Sequence, residues 1–104
     1  EHVTTALDLA KLAQVAMQDE RFRKMAKTPK FIRPKTNKQP EVHLQSTNRL
    51  LVKGSNVHYA PAIGIKTGYH RRAGHCLVAA AEQNDRCLIA VVLQGTSRDE
   101  RFRD

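Results

Sequence analysis

The sequence predicts an α+β fold in which an antiparallel sheet of three strands packs with helices. Three observations carry this. Apolar residues recur at helical spacing through the first eighteen positions. Three strand-like runs come later, around Ile63 to Tyr69, Cys76 to Ala81 and Leu88 to Leu93. The connections between those runs are short, which favours antiparallel neighbours. At 104 residues the chain has room for one domain or part of one.

Thr5 with Asp8 has the threonine-x-x-acid spacing of a helix N-terminus. Leu9, Ala10, Leu12, Ala13, Ala16 and Met17 form one face, and Asp8, Lys11, Gln14 and Gln18 form the opposite stripe. This predicts a helix over residues 5–18. A second, shorter helix starts at Asp19 or Glu20 and ends before Pro29, with Phe22, Met25 and Ala26 on its buried side. The helical segment as a whole spans about 4–27.

Residues 28–46 form a polar hairpin or loop. Lys30 to Arg33 and Val42 to Gln45 are its short strands, and Pro34 to Glu41 holds no apolar residue. Leu50-Leu51-Val52 is an apolar plug, and Gly54-Ser55-Asn56 is a turn.

Strands occupy about 62–94. Pro61 stands at the entrance of the first, a position proline tolerates. That strand runs Ala62 to Thr67 at the sheet edge, and Tyr69 to Ala73 is a loop exposing Arg71 and Arg72. Gly74 to Gln83 is the second strand and Arg86 to Gln94 the third, turning at Asn84-Asp85. The third is apolar from Leu88 to Leu93, so both its faces call for cover. The N-terminal helices can cover one. Arg98 to Asp104 begins a further helix, and little remains to cover the other face, which makes this an incomplete domain.

Net charge is +8. A basic balance suits a polyanionic partner, but the five aromatics are scattered and form no base-stacking platform, so no nucleic acid is expected. No apolar run approaches the roughly 20 residues of a membrane span. The start carries no charged-then-apolar leader. In the predicted hairpin Glu82 faces Cys87 and Cys76 faces Leu93, so the sulfurs lie about 20 Å apart, too far for a disulfide. Both cysteines are read as small apolar packing residues. His70 and His75 are close, but no carboxylate or cysteine pattern completes a zinc site.

The candidate chemistry sits in Lys66-Thr67-Gly68. A lysine beside a threonine at the rim of an edge strand makes an anion site: the ammonium brings charge and the hydroxyl a directed donor. Gly68 has no side chain, so a ligand backbone can come close. The free edge can pair with an extended peptide. Together they suit a short peptide ending in a carboxylate.

Lys-Thr-Gly is one of three motifs of serine β-lactamases and penicillin-binding proteins. The run Gly64-Ile65-Lys66-Thr67-Gly68-Tyr69, then Ala73-Gly74-His75-Cys76-Leu77-Val78-Ala79-Ala80-Ala81, then Leu88-Ile89-Ala90-Val91-Val92-Leu93, resembles the low-molecular-mass penicillin-binding proteins, the serine-type D-alanyl-D-alanine carboxypeptidases. Upstream, Thr4-Thr5-Ala6-Leu7-Asp8-Leu9-Ala10 and Thr47-Asn48-Arg49-Leu50-Leu51 match in the same order. The resemblance implies the C-terminal part of a β-lactamase/transpeptidase-like domain that trims peptidoglycan stem peptides ending in D-Ala-D-Ala and binds β-lactams. It implies no cofactor, and an extracytoplasmic location with membrane association possible through segments outside this chain. Lys66 is then the motif lysine, keeping the site electropositive and assisting proton movement. Thr67 bonds the substrate carboxylate, and the Tyr69 backbone N–H is an oxyanion donor. Arg101 helps hold the carboxylate.

The chain departs from the family pattern with His70 in place of threonine and Gln94 in place of glycine. It also has no serine-x-x-lysine: Ser46, Ser55 and Ser97 are followed three residues on by Arg49, His58 and Glu100. Ser46-Thr47-Asn48 has the serine-x-asparagine spacing, but in the family that motif lies upstream of the segment matching Thr4 to Ala10, so it is set aside as a decoy. The nucleophile is therefore expected in a missing N-terminal half, and this chain alone is expected to be inactive. A noncatalytic basic module that binds anionic polymer or nucleic acid is the alternative.

Overall fold

The computed structural model of the chain describes residues 2–104. Two helices come first, α1 (Ala6–Ala16) and α2 (Glu20–Lys27). A small hairpin follows, β1 (Lys30–Arg33) and β2 (Val42–Gln45), and then a 3₁₀ turn over Arg49–Leu51. The main sheet is β3 (Ala62–His70), β4 (Gly74–Gln83) and β5 (Arg86–Gly95), antiparallel in that order. A short α3 (Glu100–Arg103) ends the described chain.

The helix starts are set by their caps. The Thr5 hydroxyl accepts the Asp8 N–H at 3.1 Å, as the spacing predicts. The Asp19 carboxylate accepts the N–H groups of Arg21 and Phe22 at 2.8 and 3.1 Å. α1 lies against β4 and β5 while α2 lies against β3. Met17, Ile63 and Ala80 form the buried core, with Phe22, Ile65 and Ile89 packed around it. An ion pair from Arg23 to Glu82, 2.9 Å, fastens α2 to the far end of β4.

Several expectations are corrected. The buried stripe of α1 is narrower than predicted: Ala13 and Met17 are buried and Leu9, Ala10 and Ala16 partly so, while Leu12 stays exposed, because the helix meets mainly β4 and β5. Met25 on α2 is 70% exposed, so Phe22 and Ala26 carry that contact instead. β3 runs on to His70, with Tyr69 paired to His75 and His70 to Gly74. The connection shrinks to Arg71–Ala73, and Gly74 closes it with φ +74°. β5 is the second edge of the described sheet rather than a buried strand, and its Leu88 is 62% exposed. Cys87 is exposed as well, so it is not a packing residue.

The β4–β5 turn has Asn84 and Asp85 at φ 54° and 63°. Two consecutive left-handed residues make the tight hairpin loop that fits strand twist. Glu82 pairs with Cys87 as expected. Near the other end His75 pairs with Gly95 but Leu77 with Val92, so β5 carries one extra residue there. Gln94, at φ 57°, belongs to this bulge. Cys76 falls at the same irregularity.

Candidate functional site

Lys66, Thr67, Gly68 and Tyr69 all lie on β3, an edge of the sheet. Successive strand residues face opposite ways. Lys66 is exposed, whereas Thr67 on the opposite face is only 6% exposed; Tyr69, on the Thr67 face nearer the strand end, is exposed. A Cβ built on Gly68 would meet nothing within 4 Å. No packing in the described chain demands glycine there, and the space above it stays open.

Thr67 is held by a residue that the sequence reading had discounted. Its hydroxyl oxygen lies 2.5 Å from that of Thr47, the middle of Ser46-Thr47-Asn48. The segment is built as a bracket. Ser46 N–H bonds the Pro29 carbonyl at 2.8 Å, and the Ser46 hydroxyl accepts the Asn48 N–H at 3.1 Å. Asn48, 1% exposed, caps the 3₁₀ turn by accepting the Leu50 N–H at 3.2 Å. Ser46 and Asn48 thus serve the local turn. The sole sequence signal for Thr47 was its place inside the segment matching Thr47 to Leu51.

Arg101 comes from α3 and is 6% exposed. Its Nη1 donates to the carbonyls of Gly68, 3.2 Å, and Cys76, 3.4 Å. The guanidinium lies 4.9 Å from the Phe102 ring centroid. Burial, and then the nearby charge of Arg98, lower its pKa below the usual arginine value. It therefore braces the β3–β4 ladder under Gly68 as a buried cation with no carboxylate partner among the described residues. Arg49 is neutralised: it pairs with Asp99 at 2.6 Å and bonds Asn56 at 2.7 Å.

These elements enclose a cleft of about 730 Å³. Lys66, Arg98 and Arg101 bring three cations to its lining beside the Asp99-paired Arg49, and no carboxylate lines it directly. Tyr69 and His75 stand at its side with ring centroids 4.4 Å apart. Such a lining suits an anionic group, and the Thr67 hydroxyl is one of the polar groups along it. None of the three serines lines the cleft. Ser55 and Ser97 are taken up in local turns, accepting the N–H groups of Val57 and Glu100.

The D-alanyl-D-alanine carboxypeptidase family model matches residues 1–97. The chain belongs to the D-alanyl-D-alanine carboxypeptidase family. A D-alanyl-D-alanine carboxypeptidase of Streptomyces sp. (strain K15) is 33% identical over 105 residues, covering 97% of this chain and 34% of the relative. The crystal structure of the Streptomyces K15 DD-transpeptidase superposes with a TM-score of 0.84 at 34% identity, over 96% of this chain and 38% of that one. Penicillin-binding protein D2 of Listeria monocytogenes, in its cefotaxime-bound form, gives 0.69 at 27% identity, over 89% of this chain and 34% of that one. The chain thus spans about a third of the length of these relatives. The fold is transpeptidase-like, and what is seen is part of such a domain.

Proposed function

We propose that this chain forms the substrate-holding wall of a serine D-Ala-D-Ala carboxypeptidase acting on peptidoglycan stem peptides outside the cytoplasm. The observation that carries the reading is the near-buried Thr67 hydroxyl, set beside Lys66 at the base of a cleft lined by cations and free of carboxylates. Family membership supports it.

In this reading the terminal carboxylate of the stem peptide rests on the Thr67 hydroxyl. The open space over Gly68 admits the peptide backbone alongside β3. A serine from a segment outside this chain attacks the penultimate D-alanine carbonyl. Its proton moves to a base, terminal D-alanine leaves with a proton on its amine, and water then hydrolyses the acyl-enzyme. The Tyr69 backbone N–H is one of the donors to the carbonyl oxygen as it gains charge. Lys66 supplies positive charge beside the reacting centre and assists the proton transfer. Arg101 acts on the carboxylate through its field and by bracing Gly68, since its Nη1 is already engaged with backbone carbonyls. β-lactams acylate the same serine.

The test is labelling by a fluorescent penicillin. The chain alone takes up no label. Assembled with the N-terminal part of a family member's transpeptidase domain, it forms a labelled species, and Thr67→Val slows that labelling by at least tenfold, about the worth of one hydrogen bond to a charged group. Covalent labelling of the lone chain overturns the reading. So does an anion affinity that falls steeply with salt yet ignores Thr67, the behaviour of a basic module.

A further inference from the structure

We infer that Thr47 is a positioning residue for this site, one that sets the direction in which the Thr67 hydroxyl donates. The inference rests on the reading of Thr67 as the carboxylate donor. The two hydroxyl oxygens are 2.5 Å apart, so one donates and the other accepts. A hydroxyl has a single proton. When Thr67 gives its proton to an anion, it has none left for Thr47, and the shared bond must run from Thr47 to Thr67. An anion in the cleft thus selects one order: Thr47 O–H to Thr67 O, Thr67 O–H to carboxylate.

Three features make this order effective. Thr67 is almost buried, so water does not readily substitute as the second donor, while Thr47 is exposed and can satisfy its own acceptor sites with solvent. Hydrogen bonds in series polarise one another, which strengthens the terminal bond to the anion. Thr47 is also fixed from both sides: Ser46 closes the β1–β2 hairpin, and buried Asn48 caps the next turn. Arg49, one residue further on, is clamped to Asp99 at the base of α3. The donor therefore reaches Thr67 from a braced segment.

The test is an NMR titration of the chain with N-acetyl-D-alanyl-D-alanine, following the Gly68 amide. Thr47→Val keeps the shape and removes the proton, and it weakens binding about three- to thirtyfold, the span between a neutral and a charge-linked hydrogen bond. Thr47→Ser restores binding to within about twofold, since the hydroxyl is what matters. Thr67→Val weakens binding more, and the double variant is no weaker than Thr67→Val alone, because Thr47 acts through Thr67. Thr47→Ala, which has no branched side chain to misfit, repeats the Val result.

Wild-type binding to the peptide with Thr67→Val impaired but Thr47→Val unimpaired overturns this inference and leaves the proposed function standing. Losses that add in the double variant, or a Thr47→Ser variant as weak as Thr47→Val, overturn it too, because Thr47 then acts by direct contact or by packing. A wild-type chain whose Gly68 amide does not respond overturns the proposed function itself.

Discussion

Two glycines that look alike in the sequence are held for opposite reasons. Gly68 has empty space where a Cβ would go, whereas a Cβ on Gly95 would sit 2.6 Å from the His75 carbonyl oxygen. Gly95→Ala is therefore expected to lower stability by about 1–3 kcal/mol, the usual cost of forcing an atom into a packed site. Gly68→Ala should leave stability unchanged or raise it by about 0.4–1 kcal/mol, through a less flexible unfolded chain. Yet it should weaken peptide binding, because the methyl enters the ligand's space. Denaturant titration of the two variants, with peptide binding measured beside it, checks both outcomes. Lys66, Thr67, Gly68 and Tyr69 were legible as one candidate rim because they are consecutive. Thr47 was not, because its contact with Thr67 joins residues twenty apart and no local pattern encodes it. Arg101 was legible as a position, but its burial and its bonds to Gly68 and Cys76 were not.

Elements were legible where a cap or a turn marks their ends. Thr5 and Asp19 start α1 and α2 by side-chain bonds to backbone N–H groups, and Asn84-Asp85 turns β4 into β5. Thr5→Ala should cost about 1 kcal/mol, a common value for a lost helix cap, measurable as a fall in the denaturation midpoint. The far end of the same hairpin was harder to read. The extra residue of the bulge at Gln94 leaves hydrophobic periodicity intact and shows only in the pairing of His75 with Gly95. Gln94 holds φ 57°, a region that disfavours side chains with a Cβ. The resemblance placed a glycine there, and the backbone supplies the reason. Gln94→Gly is expected to stabilise the chain by about 0.5–1 kcal/mol, seen as a higher midpoint with unchanged slope. β3 outran its predicted end because Tyr69 and His70 carry no strand-breaking chemistry, and the turn is made later, by Gly74.

For the whole molecule, the sequence raised a demand that the described residues do not meet. β5 is apolar from Leu88 to Leu93, and α1 covers only one side of it. On the sheet's other side Leu77, Leu88, Val92 and Phe102 line an open trench of about 650 Å³. The chain covers about a third of its structural relatives, so a partly covered sheet is what such a portion presents. In the proposed function the same division runs through the chemistry, with the anion-binding wall on this chain and the serine in a segment outside it. The wall is the part that this chain can be tested for by itself. The decisive measurement is the affinity of the chain for N-acetyl-D-alanyl-D-alanine against the same peptide with its carboxylate converted to an amide, at fixed ionic strength. A wall built on Thr67 prefers the free acid by at least tenfold, the scale of one charge-assisted hydrogen bond, and Thr67→Val cuts that preference sharply, leaving only the share due to the cleft's cations. Equal affinity for acid and amide, or a preference left unchanged by Thr67→Val, would contradict the account.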